Sequence, residues 1–145
     1  MILYLDTSGL VKLYVEELFS EFARELVAQS EVVATSCIAL PEMASGLARK
    51  HREGELPDSR FKTLVAEMES DWVNLGRVGI DEQAAARLAI RHPLRGADAV
   101  HLSAALRVCQ AGEGRAAGFL AFDRRLNQAA QSEGLRGLAP PEFVG

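Results

Sequence analysis

Residues 1–10 read MILYLDTSGL, an apolar run that breaks at Asp6 with Thr7 and Ser8 directly behind it. Four residues of strand character, ILYL, followed by a carboxylate and two hydroxyl residues, describe a buried strand that turns at once into a helix. Asp and Ser are good helix caps, worth about 1 kcal/mol each, so Asp6 has a purely structural reading. It also has a chemical one, as the first member of an acidic metal site at a strand end. The rest of the chain bears on which holds.

Outward from this stretch, strands and helices alternate. A short helix in LVKLYV is followed by the amphipathic EFARELVAQ, with Phe22, Ala23, Leu26 and Val27 at helical spacing and Ser20 as its expected cap. VVAT is a second strand. LPEMASGLARKH is a helix that tolerates Pro41 in its first turn. GELPDS is a turn, and RFKTLVAEMES a helix with Phe61, Leu64, Val65 and Met68 on one face. WVNL is expected to be a strand, DEQAAARLAIRH a helix ended by Pro93, and ADAVHLSAALRVCQA a mostly apolar helix stopped by Gly112. GFLAF reads as a strand, DRRLNQAAQSE as a helix and LRGLA as a short last strand. This order predicts an α/β sandwich around a mostly parallel sheet with right-handed crossovers. No repeat, low-complexity segment or long linker interrupts it, so residues 1–145 are expected to form a single domain.

The chain has 145 residues, 48% of them hydrophobic and 25% charged, which fits a folded globular domain rather than a disordered segment. No apolar run approaches the roughly 20 residues that span a bilayer. Asp6 and Lys12 break the N-terminal stretch, so it does not read as a signal peptide, and the expected compartment is the cytoplasm. Cys37 and Cys109 stand alone, which excludes a CxxC zinc motif or a disulfide framework; they are expected to be buried thiols. A net charge of −4 argues against a protein that is basic all over. That leaves room for an acidic cluster in one place and basic residues, 13 Arg and 3 Lys, in others.

In open parallel sheets, ligands sit beyond the carboxyl ends of the strands. Asp6 and Asp123 each follow an apolar strand, Asp98 opens a helix after PLRG, and Glu42 lies early in the helix after the second strand. All four could approach one sheet edge. Taken singly, each could be a cap, a first-turn acid or a solvated helix residue. Asp6 and Asp98, however, lie in the strongly apolar settings LYLDTS and GADAVHL. Burying an unpaired carboxylate is costly, and crowded acids raise one another's pKa unless a cation joins them. Mg²⁺ or Mn²⁺ is the natural cation, because both prefer carboxylate oxygen and no thiolate or histidine pair is on offer.

Four segments carry these acids in order along nearly the whole chain: YLDTSGLVKLY, SCIALPEMASGLAR, RGADAVHLSAAL and FLAFDRRLNQAA. Together they resemble the acidic motifs of PIN-domain ribonucleases, and within that superfamily those of VapC-type toxins; GADAVHLSAAL is the most specific part. The resemblance implies a three-layer α/β/α sandwich and Mg²⁺-dependent endonucleolytic cleavage of RNA leaving a 5′-phosphate and a 3′-hydroxyl. It also implies a small VapB-type antitoxin partner and often a homodimer. One departure is visible. Ala121 stands where many relatives carry Thr or Ser, leaving open whether Asp123 meets metal directly or through water.

On this reading Asp6 and Asp98 are the primary metal ligands, while Glu42 and Asp123 hold a second ion or orient the attacking water. Two ions about 3.5–4 Å apart would stabilise both the attacking and the leaving oxygen. Ser8 is the expected supporting hydroxyl. Arg95, Arg124 and Arg125 are candidate contacts to RNA phosphates or to the antitoxin's acids, with surface ion pairs as their plain alternative. Thr7 is expected to face inward and His101 to be a packed histidine with a satisfied ring. His51 and His92 are expected to be solvated, and Tyr4, Trp72 and Phe122 to be core. Splayed single-stranded RNA suits a recessed pocket better than a rigid duplex. Two rival readings remain. A haloacid-dehalogenase-like phosphatase would use Asp6 as nucleophile, but Ser8 stands where its second Asp belongs and no catalytic lysine is identifiable. A non-catalytic α/β interaction module would use the acids only as caps.

Overall fold

All four residues of the first strand, β1 (Ile2–Leu5), are buried, which requires a sheet covered on both faces. The computed structural model, which describes residues 1–144, provides that cover. After β1 come α1 (Thr7–Val11), α2 (Ser20–Ala28), β2 (Val32–Ser36), α3 (Ala39–Arg52) and α4 (Asp58–Trp72). They are followed by β3 (Gly76–Val78), α5 (Glu82–Arg91), α6 (Gly96–Ala111), β4 (Ala117–Leu120), α7 (Arg124–Ser132) and a 3₁₀ turn at Pro141–Phe143. The described strands form one parallel sheet in the order β3-β2-β1-β4. β1 is central, with Leu3 beside Val33 on one side and Gly118 on the other.

Strand alternation divides the core. Leu3 and Leu5 of β1 and Leu120 of β4 pack with Leu10, Ala39, Met43, Leu64 and Met68 from α1, α3 and α4. Tyr4 and Phe119 point the other way, into a cluster with Leu88, Leu102 and Leu126 from α5, α6 and α7. The expected three-layer α/β/α sandwich is therefore present, and its sheet is parallel throughout the described strands.

Several local expectations are corrected. WVNL is not a strand: Leu64, Met68 and Trp72 recur every fourth residue, so α4 runs on through Trp72 and the strand is Gly76–Val78. LRGLA contributes only an isolated bridge between Gly137 and Phe119. Ser20 does not cap α2. Its hydroxyl accepts from the Glu17 N–H and donates to the Val15 carbonyl, while Phe19 occupies the cap position at φ 69°. Strand β4 stops at Leu120, so Asp123 follows it at a remove of three residues, not directly. Cys37 is exposed and Cys109 half-buried.

Helix α1 lies close on the sheet because residue 9 has no side chain. A Cβ at Gly9 would stand 3.1 Å from the Leu120 carbonyl oxygen and 3.2 Å from Leu5 Cδ2, whereas one at Gly46 on α3 would meet nothing within 4 Å. Gly9→Ala should therefore cost about 1–3 kcal/mol by overpacking against backbone. Gly46→Ala should gain about 0.5–1 kcal/mol through helix propensity. Urea denaturation reads both, and a Gly9→Ala protein as stable as the parent would contradict the close approach.

Candidate active site

The strands end at one edge, and four carboxylates arrive there from four elements. Asp6 follows β1 immediately, and its N–H continues the ladder by donating to the Leu120 carbonyl at 3.2 Å. Its side chain is 5% exposed. Oδ1 accepts from the Ser8 hydroxyl at 2.6 Å and the Gly9 N–H at 2.9 Å, so Asp6 is indeed the N-cap of α1. Ser8 Oγ in turn accepts from the Phe122 N–H at 2.9 Å, tying Asp6 to the segment that leads into Asp123. Burial raises the Asp6 carboxyl from 3.8 to about 6, against the charge of His101 and the two hydrogen bonds that favour the anion, while nearby Asp98 adds to the rise.

Glu42 comes from the first turn of α3. Its Oε1 accepts from the Thr7 hydroxyl at 2.6 Å and lies 2.8 Å from His101 Nε2. Burial works to raise this carboxyl, but the bonds from His101 and Thr7 outweigh it and hold Glu42 below the usual carboxylate range. Asp98, in the first turn of α6, pairs through Oδ2 with Arg95 Nε at 3.2 Å. Asp123 caps α7, Oδ1 accepting from the Leu126 N–H at 2.9 Å. The Arg95 guanidinium is held more firmly protonated by its bond to Asp98 and by the charges of Asp98, Asp123 and Glu42, so all three acids lie within its electrostatic reach.

These groups border two clefts, not one shared pocket. Asp98 and Asp123 line a cleft of about 320 Å³ with Arg95, Arg124 and Arg125. Thr7, Ser8 and Glu42 line another of about 450 Å³ with Lys12 and Arg49. Asp6 is joined to both, through Ser8 on one side and through the field of Asp98 on the other. Among the described residues, no three Asp, Glu, His or Cys side chains stand converged on a common point. Each acid is turned onto a protein donor. Every one of them uses a single oxygen: Oδ1 of Asp6, Oε1 of Glu42, Oδ2 of Asp98 and Oδ1 of Asp123. The second oxygen of each accepts no hydrogen bond from the described residues. The open atoms are all carboxylate oxygens, the donor type a hard divalent cation prefers and a soft one does not, though in this structure they are not gathered into a formed site among the described residues.

The remaining expected residues divide. Arg95 forms the ion pair just described, Arg124 Nε donates to the Glu142 carbonyl at 2.6 Å, and Arg125 is exposed at the cleft. Tyr4 is core, whereas Trp72 and Phe122 are only half-buried. His92 is not solvated but bonded to Glu133 at 2.8 Å, and His51 stacks on Phe61 with ring centroids 4.4 Å apart. Two residues at the site were missed. Thr7 and His101 both hold Glu42, although the sequence reading gave neither a role. The available signal was His101's place one helical turn after Asp98, on the same face of α6.

The PIN domain family matches residues 3–131. The chain belongs to the PIN domain family. It is 35% identical over 145 residues to Ribonuclease VapC49 of Mycobacterium tuberculosis, covering 98% of this chain and 97% of that one. Among solved structures, it resembles VapC20 of Mycobacterium tuberculosis, a sarcin-ricin loop cleaving toxin. The TM-score is 0.65 at 20% identity, over 95% of this chain and 99% of that one. It also resembles a toxin-antitoxin complex from Klebsiella pneumoniae, with a TM-score of 0.58 at 15% identity, over 84% and 87%. In this PIN domain, position 8 is a serine that serves Asp6, which leaves the phosphatase reading without its second acid.

The buried Asp6 carries a checkable cost. With a folded pKa raised to about 6 from 3.8, the native state holds a proton that the unfolded chain releases first. Its contribution is favourable below pH 4 and is lost as pH rises through 6, a swing on the order of 3 kcal/mol. Asn at this position keeps an oxygen acceptor for Ser8 and Gly9. In EDTA, Asp6→Asn should therefore be more stable than the parent at pH 8 and about equal to it at pH 4. Thermal melts across that range read the difference, and a parallel offset at every pH would contradict the burial cost.

Proposed function

We propose that this PIN domain is a divalent-metal-dependent endoribonuclease, using Mg²⁺ with Mn²⁺ as an alternative, and that it is the toxin of a toxin–antitoxin pair. The observation that carries this reading is the buried carboxylate of Asp6, with Oδ2 left open, at the sheet edge where Asp98, Asp123 and Glu42 also arrive. Support comes also from the ribonuclease named among its relatives and from a neighbour of the same fold solved as a toxin-antitoxin complex.

In this mechanism Asp6 and Asp98 are the principal ligands, and Glu42 and Asp123 complete the acidic set. A bound divalent cation supplies an activated water near neutral pH and countercharge for the leaving oxygen of the phosphodiester. Ser8 keeps the Asp6 carboxylate in one orientation and couples it to the backbone before Asp123. Arg95, Arg124 and Arg125 line the cleft that holds Asp98 and Asp123, and offer cationic contacts to RNA phosphates on either side of the cut. Single-stranded or looped RNA is the substrate class that such a recessed edge accommodates. The partner is a small VapB-type antitoxin, and the assembly is built on a homodimer of this chain. No helix among the described residues is long and apolar enough to cross a membrane.

The test is direct. Purified free of partners, the protein should cleave labelled RNA with Mg²⁺ or Mn²⁺ and stop in EDTA. Asp6→Asn and Asp98→Asn should each lower the rate by about a thousandfold, some 4 kcal/mol of barrier, with circular dichroism unchanged. Cleavage that survives EDTA or both substitutions would overturn the reading, as would an aspartyl-phosphate trapped at Asp6.

A further inference from the structure

His101 is 2% exposed, yet its ring is used at both ends by polar partners. Nδ1 lies 2.9 Å from the Tyr4 hydroxyl. Nε2 lies 2.8 Å from Glu42 Oε1 and 3.0 Å from Thr7 Oγ1. A carboxylate only accepts hydrogen bonds, so Nε2 must carry a proton and donate it. With the ring neutral, Nδ1 accepts from the Tyr4 O–H; with the ring charged, Nδ1–H donates to the Tyr4 oxygen, and in either form Tyr4 holds the ring with Nε2 toward Glu42. Tyr4 cannot easily shift. Its ring stacks on Phe119 at 5.9 Å and 16° in the middle of the sheet. Thr7 closes the arrangement, its hydroxyl donating to the same Glu42 oxygen at 2.6 Å.

We propose that His101, oriented by Tyr4 and assisted by Thr7, is a positioning residue that fixes the Glu42 carboxylate through Oε1 and leaves Oε2 as the oxygen offered to a cation. This rests on the reading of Glu42 as part of the metal site. The geometry has a mechanical consequence. Glu42 is a flexible side chain, about one-third exposed, on the first turn of a helix. Without fixed donors it would spread over several rotamers, and ordering it on metal binding would cost side-chain entropy. Two donors anchored on β1–α1 and α6 remove that freedom beforehand. Partners behind a ligand typically matter about 10–100-fold in metal affinity.

The experiment measures Mn²⁺ affinity of the full-length protein by electron paramagnetic resonance, beside thermal melts and RNA cleavage titrated with Mn²⁺. His101→Leu should weaken Mn²⁺ binding about tenfold, and His101→Gln should recover much of the loss, because a side-chain amide N–H can donate to Glu42. Tyr4→Phe and Thr7→Val, which keep their shapes, should each weaken binding by a few-fold. At saturating Mn²⁺ the variants' kcat should return toward that of the parent, while the Mn²⁺ concentration they require stays raised. If His101→Leu does not fold, the affinities of Tyr4→Phe and Thr7→Val decide. Parent-like Mn²⁺ affinity in these variants, with lowered melting temperatures alone, would overturn the positioning role and leave His101 as a core histidine. Failure of the parent itself to bind Mn²⁺ would overturn the metal site and this inference together.

Discussion

A carboxylate at the end of a fully buried central strand is the constraint around which the site is built. β1 enters the core as four consecutive buried residues, and the next residue in line is Asp6, still only 5% exposed. Water cannot solvate it freely, and its carboxyl is pushed up to about 6. The chain answers with what is nearest: the Ser8 hydroxyl, the Gly9 N–H and the N-terminus of α1. These are enough to hold the group in place and too few to satisfy it, since both bonds fall on one oxygen. Asp6 is thus a helix cap whose second oxygen is left without a protein donor among the described residues. An ionisable group held where burial penalises its charge costs the fold stability at any pH that ionises it.

The charges around this group are held with unequal firmness. Arg95 is the ion-pair partner of Asp98, but its side chain is 81% exposed. A pair that open to solvent is screened by salt and water, and gives way readily to a competitor. The pair can therefore separate without breaking packed structure. The opposite cleft differs in kind. Lys12 is buried to 8% exposure, pairs with Glu17 at 3.1 Å and lies 4.5 Å from the Phe122 ring centroid. That charge is fixed by its neighbours and less free to move. An overall charge of −4 hides this local pattern of acids at the sheet edge and arginines around them.

Much of this was legible in the sequence because two signals are local. An apolar strand ending in a carboxylate places Asp6 at the end of β1, and an acid inside an apolar helix start places Asp98 in the first turn of α6; both need only their neighbours to be read. The same holds for most elements, whose periodicity survives in the structure. What failed depended on tertiary context. Trp72 has β propensity by itself, and only the recurrence of Leu64 and Met68 at every fourth residue before it places it on α4. Ser20 looked like a cap, yet its hydroxyl is spent on the preceding loop. Cys37 looked buried by residue type and is exposed. Thr7 and His101 were read as packing because their partner, Glu42, is 35 and 59 residues away, and no periodicity links them.

Two periodicities nevertheless meet at the site. Along β1, successive side chains change face, so Tyr4 and Asp6 are directed to the side where α6 lies. Along α6, Asp98 and His101 are three residues apart and share a face. Crossing a period-two strand with a helix therefore pairs an outer couple, Asp6 and Asp98, with an inner one, Tyr4 and His101. Of the outer couple, Asp98 lines a cleft and Asp6 lies buried behind it; the inner couple ends in the core, on Phe119. The register of β1 against β2 and β4 sets both at once, since a slip by one residue would put Leu5 where Tyr4 is and turn Asp6 away from α6. The acidic edge is for that reason not an appendage on a generic sandwich. Its geometry is fixed by the same strand pairing that closes the hydrophobic core, and the Tyr4 hydroxyl is the point at which the two are joined.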